Sequence, residues 1–570
     1  MSTTTAARPE GVSPDASIYR LEPAGLVFAR PVKVTLPLPG GATGGALYLS
    51  RSGASSFGPF DSIGGTVSGR SLSAETPYFG LGVIGSATTT RTVIGVGYTT
   101  WASGTTRDSD PIDFASRPVE ALVKDAGGNL RSIQGVAGAA PGTFLIPSVP
   151  EGEYILHSGT EYFVTSTSSP DLGTQIGGRP PRLRTPITTA AQINVSVSGL
   201  EPWQAADQLE FYGPEENNWD FFTERFAALN PGDTSVSFFV DLSQFDGGRA
   251  SAIHAQGDHS FLAQISHRAT PSGVPYDALS RIAQLPPFDL QSGSAPVPVS
   301  ATMVDVSAVN HLSLEYRGSQ WEAALLDGNP AQVPSCAFVG CSGFYGVLGQ
   351  AGSALDGFYA ANADLMVVED PAGDGVVGPF VFGIPPNDPP SGTWGLLFEA
   401  RRFATVFPTL LPGTTSHGPG LTGGLSSFID WTTTPDVAST TPIAPPVTMP
   451  LGATVAGKPF FADAAGIGLS PAIAWNAPRT GPAASYTLRI IQLFVVAGNQ
   501  TGATTVATIV TPHPSITLPA GILQAGNTYV FVLSANAATS PAAAALLASA
   551  PFRPGLDVAI AGTVSGSFTP

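Results

Sequence analysis

The stretch NTYVFVLSANA, residues 527–537, places Tyr529, Phe531 and Leu533 at every second position, with Val530 and Val532 between them. A two-residue period directs alternate side chains to opposite faces of a β-strand. The same period recurs in ARPVKVTLPLPGG, INVSVSGL, HLSLEYRG and YTLRI, at 29–41, 193–200, 311–318 and 486–490. Repeated strand patterns that end at Gly and Pro predict an all-β protein made of tandem β-sandwich domains.

Helical patterns are scarce. DFFTERFAALN, at 220–230, has room for about two turns. SPAAAALLASA, at 540–550, predicts a helix with Ser540 as its N-cap and Pro541 at its first position. The sequence therefore predicts few and short helices.

The chain is too long for one hydrophobic core. At 570 residues it predicts about four or five domains of ~100–150 residues each. Hydrophobic residues make up 43% and charged residues 12%, so Ser, Thr, Asn and Gln cover much of the surface. The 66 Gly and 53 Pro interrupt regular alternation without replacing it, which favours turn-rich β structure over disorder.

Boundaries are expected where Pro, Gly, Ser and Thr replace the alternation. Such segments lie at 99–111, 177–189, 284–300 and 433–450. They predict five domains, at 1–105, 106–188, 189–298, 299–440 and 441–570.

The last domain resembles fibronectin type III domains. PAIAWNAP at 471–478 is similar to strand B of that family, SYTLRI at 485–490 to strand C, and LQAGNTYVFVLSANA at 523–537 to strand F. The resemblance implies structural roles for Trp475, Leu523 and Tyr529 in an immunoglobulin-like sandwich. Tyr529 would be the corner tyrosine, with its ring inward and its hydroxyl on a nearby backbone group.

Two further resemblances concern the N-terminal part. YRLEPAGLVFARPVKVTLPLP at 19–39 resembles the start of ZU5-like β-domains, and GTFLIPSVPEGEYILHSGTEYFVTS at 142–166 resembles the carboxypeptidase-regulatory-like sandwich. Together they are similar to multi-domain secreted or lipoprotein-type proteins of GC-rich bacteria, in which these modules are non-catalytic. Residues 201–440 resemble no named family.

The charge pattern bears on partners and compartment. The formal net charge is −17 and no basic run is interleaved with aromatic residues, which argues against nucleic acid as a partner. No stretch reaches the ~18 apolar residues of a membrane span. The start, MSTTTAARPEGVSPDAS, has no secretory signal. Either the chain is cytosolic, or it is an extracellular or cell-surface chain whose signal has been removed; the sandwich pattern favours the second.

Two acidic stretches are the candidates for a metal cofactor. TRDSDPIDF contains Asp108, Asp110 and Asp113, and EDPAGDG contains Glu369, Asp370 and Asp374. Calcium takes six to eight oxygen ligands and often stiffens loops between β-modules. Neither stretch has the complete calcium-loop motif, so Asp turns are the favoured interpretation and calcium the alternative.

Cysteine and histidine give two local hypotheses. Cys336 and Cys341 in PSCAFVGCSG either pair in a short disulfide or remain thiols, and the flexible flanks favour the disulfide. HAQGDHSFLAQISH, at 254–267, holds His254, Asp258, His259 and His267. In a strand, His259 and His267 would be about 26 Å apart, which favours exposed hairpin histidines over a metal site.

GPEENNWDFF is the one stretch with the composition of a carbohydrate site. Tyr212 and Trp219 are the candidate aromatic platforms, and Glu215, Glu216 and Asp220 are the candidate carboxylates. Aromatic residues at a strand end serve the core more often than a ligand.

Three functions remain open. The leading hypothesis is a non-catalytic protein that binds a protein or glycan at the cell surface, in adhesion or structural scaffolding. The alternatives are a secreted glycan-acting hydrolase with its site in 201–440, and a structural shell or appendage protein.

Overall fold

In the computed structural model, the described residues are 2–4, 18–23, 26–38, 45–50, 61–63, 65–85, 90–103, 106–124, 129–180, 189–215, 218–221, 229–244, 254–290, 292–293, 295–328, 341–350, 364–369, 374–385, 395–406, 421–432, 437–438, 444–496, 500–553 and 558–570.

The first unit, residues 2–85, is a two-sheet sandwich. Its strands are β1 (Ser2–Thr4), β2 (Ile18–Arg20), β3 (Val27–Pro37), β4 (Ala46–Ser50), β5 (Asp61–Ser62), β6 (Thr66–Ser68), β7 (Ser71–Tyr78) and β8 (Leu81–Gly85). One sheet has the order β1-β2-β8-β4-β5 and the other β3-β7-β6. Leu36 and Leu72 from the second sheet pack with Leu47 and Leu49 from the first. No described strand of this unit pairs with a strand outside it.

The second unit, residues 90–180, begins with two strands that the predicted boundaries had placed in the first domain. Its strands are β9 (Thr90–Val96), β10 (Tyr98–Ser103), β11 (Thr106–Pro111), β12 (Val119–Lys124), β13 (Leu130–Gln134), β14 (Val136–Ala137), β15 (Thr143–Pro150), β16 (Tyr154–Ser158), β17 (Glu161–Thr165) and β18 (Thr174–Gly177). β9 pairs with β15, and β10 pairs with β11 and β18. Val93 and Phe144 on one sheet face Ala121 and Leu156 on the other.

The third unit, residues 189–302, supplies β19 (Gln192–Ser198), β20 (Gln208–Gly213), β21 (Asn218–Phe221), β22 (Ser235–Asp241), β23 (Phe261–Ala269), β24 (Pro275–Gln284) and β25 (Val297–Thr302). β22-β19-β25 form one sheet. It packs through Val195 and Phe238 on Leu209 and Leu262 of the neighbouring sheet.

The fourth unit, residues 304–438, contains a helix that the sequence patterns did not predict. Its elements are β26 (Val304–Asp305), β27 (Ala308–Arg317), α1 (Gly318–Gly328), β28 (Cys341–Gln350), β29 (Asp364–Glu369), β30 (Asp374–Gly383), β31 (Gly395–Val406), β32 (Leu421–Thr432) and β33 (Val437–Ala438). Trp321 of α1 is fully buried in the core beneath β27 and β30.

The last unit, residues 444–570, is a sandwich of two four-stranded sheets with short additions. Its elements are β34 (Leu451–Val455), β35 (Lys458–Pro459), β36 (Ala464–Ala465), β37 (Ala472–Asn476), β38 (Ser485–Val496), β39 (Gln500–Thr511), β40 (Ser515–Thr517), β41 (Thr528–Ala538), α2 (Pro541–Ser549), β42 (Val558–Val564) and β43 (Phe568–Thr569). One sheet has the order β35-β34-β37-β40, and it packs face to face on a sheet with the order β39-β38-β41-β42. The Ser540 hydroxyl accepts a hydrogen bond from Ala543 N–H, so the predicted cap of α2 is confirmed.

One sheet runs through four of the five units. From end to end its main order is β13-β12-β16-β17-β39-β38-β41-β42-β32-β31-β28-β29-β24-β23-β20-β21, and β17–β39 is the one parallel pairing in this order. Glu161, Tyr162 and Phe163 of the second unit lie opposite Thr508, Ile509 and Val510 of the last unit. The units from residue 90 onward are therefore joined by backbone hydrogen bonds in addition to their linkers.

Strands in this sheet bury both faces. In β16 and β17, Leu156 and Phe163 belong to the core of the second unit, whereas Ile155, Tyr162 and Val164 belong to the core of the last unit. The side chains of β20 and β23 are distributed between two cores in the same way. Leu209 and Leu262 belong to the core of the third unit, and Tyr212 and Phe261 belong to the core of the fourth. Each shared sheet is the middle layer between two cores.

The all-β fold predicted from the two-residue period is confirmed: the described residues form sandwich-like layers with two short α-helices. In the described part of the chain, neither helix is long and apolar enough to cross a bilayer.

Candidate functional site

A groove of about 690 Å³ lies between the second and last units. This volume is within the ~300–1,000 Å³ of ligand sites in proteins. We call it the inter-unit groove. It is lined by Leu122, Val123, Lys124, Leu130, Pro150, Glu151, Glu153, Tyr154, Ile155, Val164, Thr511, His513, Ser515, Ile516 and Thr517.

The floor of the inter-unit groove is aliphatic. Leu122 lies opposite Ile155 in the β12–β16 ladder, and Ile155 lies opposite Val164 in the β16–β17 ladder. These side chains share the sheet face that continues into the core of the last unit. Leu122 is half-buried, whereas Ile155 and Val164 are largely buried, so the floor is the margin of this face at the border of the last unit's core.

One wall is the edge strand β40. Trp475 N–H donates to the Pro514 carbonyl at 2.9 Å and Leu518 N–H donates to the Pro471 carbonyl at 3.0 Å. Bonded and non-bonded pairs alternate along an antiparallel ladder, so Ile516 directs its backbone groups toward β37. Ser515 and Thr517 direct theirs to the other side, where β40 has no strand partner among the described residues.

The rim carries charged groups from both units. Glu153, before β16, hydrogen-bonds to Nε2 of His513, before β40, and so links the two walls. Glu151 binds Arg91 at 3.3 Å. Lys124 also lines the groove, is exposed, and has no ion pair within the described residues.

The turn that carries Glu151 and Glu153 is fixed by backbone geometry. Gly152 has φ +107°, a conformation that L side chains rarely adopt. The register shifts between Ile146 and Val149, which marks a bulge just before the turn. Tyr154 follows the turn and donates its hydroxyl to the Thr167 carbonyl at 2.9 Å. Burial raises the pKa of Tyr154, so it remains a neutral structural group.

A polar cluster continues the same sheet face beyond the floor. Glu120 accepts hydrogen bonds from Ser132 and Gln134, and its other oxygen lies 2.8 Å from Nδ1 of His157. The His157 ring stacks on Tyr162 with centroids 4.2 Å apart. Burial alone would raise the pKa of Glu120, but the hydrogen bonds from Ser132, His157 and Gln134 outweigh it and hold the pKa below its ordinary value.

Only a part of the predicted carbohydrate platform lies among the described residues, and its Tyr212 does not reach the surface. Tyr212 is fully buried and stacks on Phe261 at 5.1 Å, so it serves the core of the fourth unit. Trp219 and Asp220 lie in β21, where Trp219 is opposite Tyr212. The side chains of Trp219 and Asp220, and the whole of Glu216, lie outside the described residues. Glu215 accepts a hydrogen bond from His259 N–H at 3.0 Å, and its other oxygen is 2.9 Å from Nδ1.

The first set of calcium candidates is spread along a strand and a turn. Asp108 and Asp110 lie in β11, opposite Trp101 and Thr99. Asp113 accepts a hydrogen bond from Ala115 N–H at 3.0 Å and caps the next turn. Its hydrogen bond with the Ser116 side chain and that from Ala115 N–H lower the pKa of Asp113.

For the second set, Glu369 ends β29 and Asp374 begins β30, whereas Asp370 lies outside the described residues. Within the described ranges, no three His, Cys, Asp or Glu side chains converge in a group that could hold a metal ion.

The predicted histidine group is dispersed by ion pairs. Asp258 pairs with Arg179 at 2.5 Å, with both side chains buried, and His267 lies 2.9 Å from Asp277. His254 begins a short 3-10 turn at the surface. The predicted Cys336–Cys341 bridge lies outside the described residues, apart from the backbone of Cys341 in β28.

The three predicted structural residues lie in the core of the last unit. Trp475 packs edge-on against Tyr486 at 5.2 Å, and Leu523 is buried in the same cluster. Tyr529 is fully buried and its hydroxyl accepts a hydrogen bond from Gln524 N–H at 2.9 Å. This is the geometry of a tyrosine corner.

No family model matches the chain, and no curated protein is significantly similar to it.

Sequence patterns missed the inter-unit groove. Its floor and its edge strand come from segments more than 300 residues apart, and neither is unusual alone. The one local sign was the Pro150-Glu151-Gly152 turn, which lies within the stretch that resembles the carboxypeptidase-regulatory-like sandwich.

Proposed function

We propose that the chain is a non-catalytic binding and scaffolding protein of the cell surface or extracellular space, and that the inter-unit groove receives a protein partner. The observation that carries this proposal is the groove itself, with its aliphatic floor of Leu122, Ile155 and Val164 beside an edge strand. Concave, mostly apolar sites with a few convergent polar groups are where proteins bind ligands.

The lining favours a protein over a glycan. Tyr154 is the one Phe, Tyr or Trp among the described lining residues, and this residue is 2% exposed. Among the described lining residues, no Phe, Tyr or Trp face is therefore exposed for a sugar ring to stack on. Aliphatic side chains of a polypeptide match the floor instead.

The scaffolding part of the proposal is supported by the connection between the two walls. The β17–β39 pairing joins the second unit to the last, and the Glu153–His513 hydrogen bond spans the rim. A groove held in this way is preorganised, so binding does not require the two units to be ordered first.

Binding of labelled full-length protein to a random-sequence peptide array and to a glycan array tests the proposal. We expect selective peptide binding that Leu122→Arg abolishes and that Lys124→Glu shifts from acidic to basic peptides. The control Lys33→Glu makes the same charge change on exposed β3 of the first unit and should leave the profile unchanged. Identical profiles for all four proteins, or turnover of a glycan substrate by the wild type, would overturn it.

A further inference from the structure

The edge of β40 presents backbone groups that a further strand would satisfy. Ser515 and Thr517 each direct one N–H and one C=O away from β37 and into the inter-unit groove. No hydrogen bond reaches these four groups from elsewhere in the described part of the chain. An extended peptide that adds to a sheet edge gains its affinity from such main-chain groups.

The floor lies where the side chains of an added strand would point. A strand beside β40 would extend the β35-β34-β37-β40 layer, and packed sheets lie ~10 Å apart. Every second side chain of that strand would then face Leu122, Ile155 and Val164, as Ile516 of β40 faces the core now. Aliphatic residues at alternate positions fit this floor.

The rim adds one charge requirement. Glu151 and Glu153 are already paired with Arg91 and His513. Lys124 is exposed, two residues from Leu122 on the same face of β12, and has no described ion-pair partner. A carboxylate near the end of the aliphatic run would complement the Lys124 ammonium.

We propose that the partner is an extended peptide segment that pairs with the edge of β40, places alternating aliphatic side chains on the groove floor and carries a carboxylate for Lys124. This inference rests on the proposed function and specifies the partner class and binding mode of the same groove.

The test uses the full chain and a labelled peptide, Gly-Val-Thr-Val-Thr-Val-Ser-Asp, in which the Val and Asp side chains share one face of a strand, with fluorescence anisotropy as the readout. Thr517→Pro removes an N–H that faces the groove but leaves the groups that pair with β37. Thr517→Val keeps that N–H and is the matched control. We expect Thr517→Pro to weaken binding at least about tenfold and Thr517→Val to leave it within about twofold.

Two further readouts do not depend on how proline affects folding. N-methylation of alternate peptide nitrogens should weaken binding to the wild type at least about tenfold. Amide hydrogen exchange at Ser515 and Thr517 should slow when the peptide binds. Lys124→Glu should weaken binding of the Asp-terminated peptide and strengthen binding of the same peptide ending in Lys.

The outcomes separate this inference from the proposed function. Failure of the peptide to saturate the wild type, or equal binding to Thr517→Pro and Thr517→Val with no exchange protection, would overturn strand addition. If Leu122→Arg still abolished array binding, the groove would remain a binding site used in another mode. A concentration-dependent dimer abolished by Thr517→Pro would identify a second copy as the occupant and overturn the peptide assignment.

Discussion

Truncation of Leu156 distinguishes shared sheets from independent domains. Leu156 is fully buried in β16, between Ala121 and Phe163 on the neighbouring strands. Leu156→Ala removes buried methyl groups and leaves a cavity, which costs about 2–5 kcal/mol. A free-energy change of 1.4 kcal/mol corresponds to a factor of ten in an equilibrium constant. Amide hydrogens that exchange only when this sheet layer unfolds should therefore exchange at least about 25-fold faster.

Hydrogen exchange followed by mass spectrometry locates the effect. Because β16 is joined through β17 to β39, we expect faster exchange both in 90–165 and in 500–511. The matched control is Leu72→Ala, a buried leucine in the first unit, which should accelerate exchange only within residues 18–85. Acceleration confined to 90–180 in Leu156→Ala would refute the coupling between the second and last units.

Two other variants test local interactions by urea unfolding of the full chain. Tyr529→Phe removes the acceptor of the Gln524 N–H and should lower the free energy of unfolding by about 1 kcal/mol. The control is Tyr48→Phe, whose hydroxyl has no hydrogen bond among the described residues and whose loss should lower it less. Equal losses in the two variants would contradict the corner role of Tyr529. Glu120→Gln tests pH dependence: a lowered carboxyl pKa stabilises the fold above the ordinary value near 4.5 and ceases to do so as pH falls through the lowered value. The stability difference between wild type and Glu120→Gln should therefore be largest at pH 6 and shrink toward pH 3, and a pH-independent difference would contradict the role of the Ser132 hydrogen bond.

The sequence predicted the elements of the last unit better than their assembly. Tyr529, Phe531 and Leu533 at every second position defined β41, because their face meets the core of the last unit. Ser540 and Pro541 defined the start of α2. Both signals are local, so no tertiary information was needed. The helix α1 was missed although Trp321, Ala324 and Leu325 form a short buried stripe at helical spacing.

Shared strands are harder to interpret from sequence. In β23, Phe261, Leu262 and Ala263 are all buried, since one face belongs to the fourth unit and the other to the third. A continuous apolar run of this kind does not reveal which layers will cover it. The inter-unit groove has the same origin, because it exists only once Ile155 and Ser515 are brought together by the β17–β39 pairing.

That pairing can be measured directly by a cross-link. Glu161 and Thr508 are neighbours in the parallel ladder, and paired strands lie ~4.8 Å apart, within the ~4.4–6.8 Å Cα separation of disulfides. In a Cys336→Ser/Cys341→Ser background, Glu161→Cys/Thr508→Cys should oxidise to a bridge that peptide mapping detects. Glu161→Cys/Thr504→Cys, displaced by four residues or about 13 Å along β39, should remain reduced. Free thiols in the first variant, or equal bridging in both, would contradict a sheet shared between the second and last units.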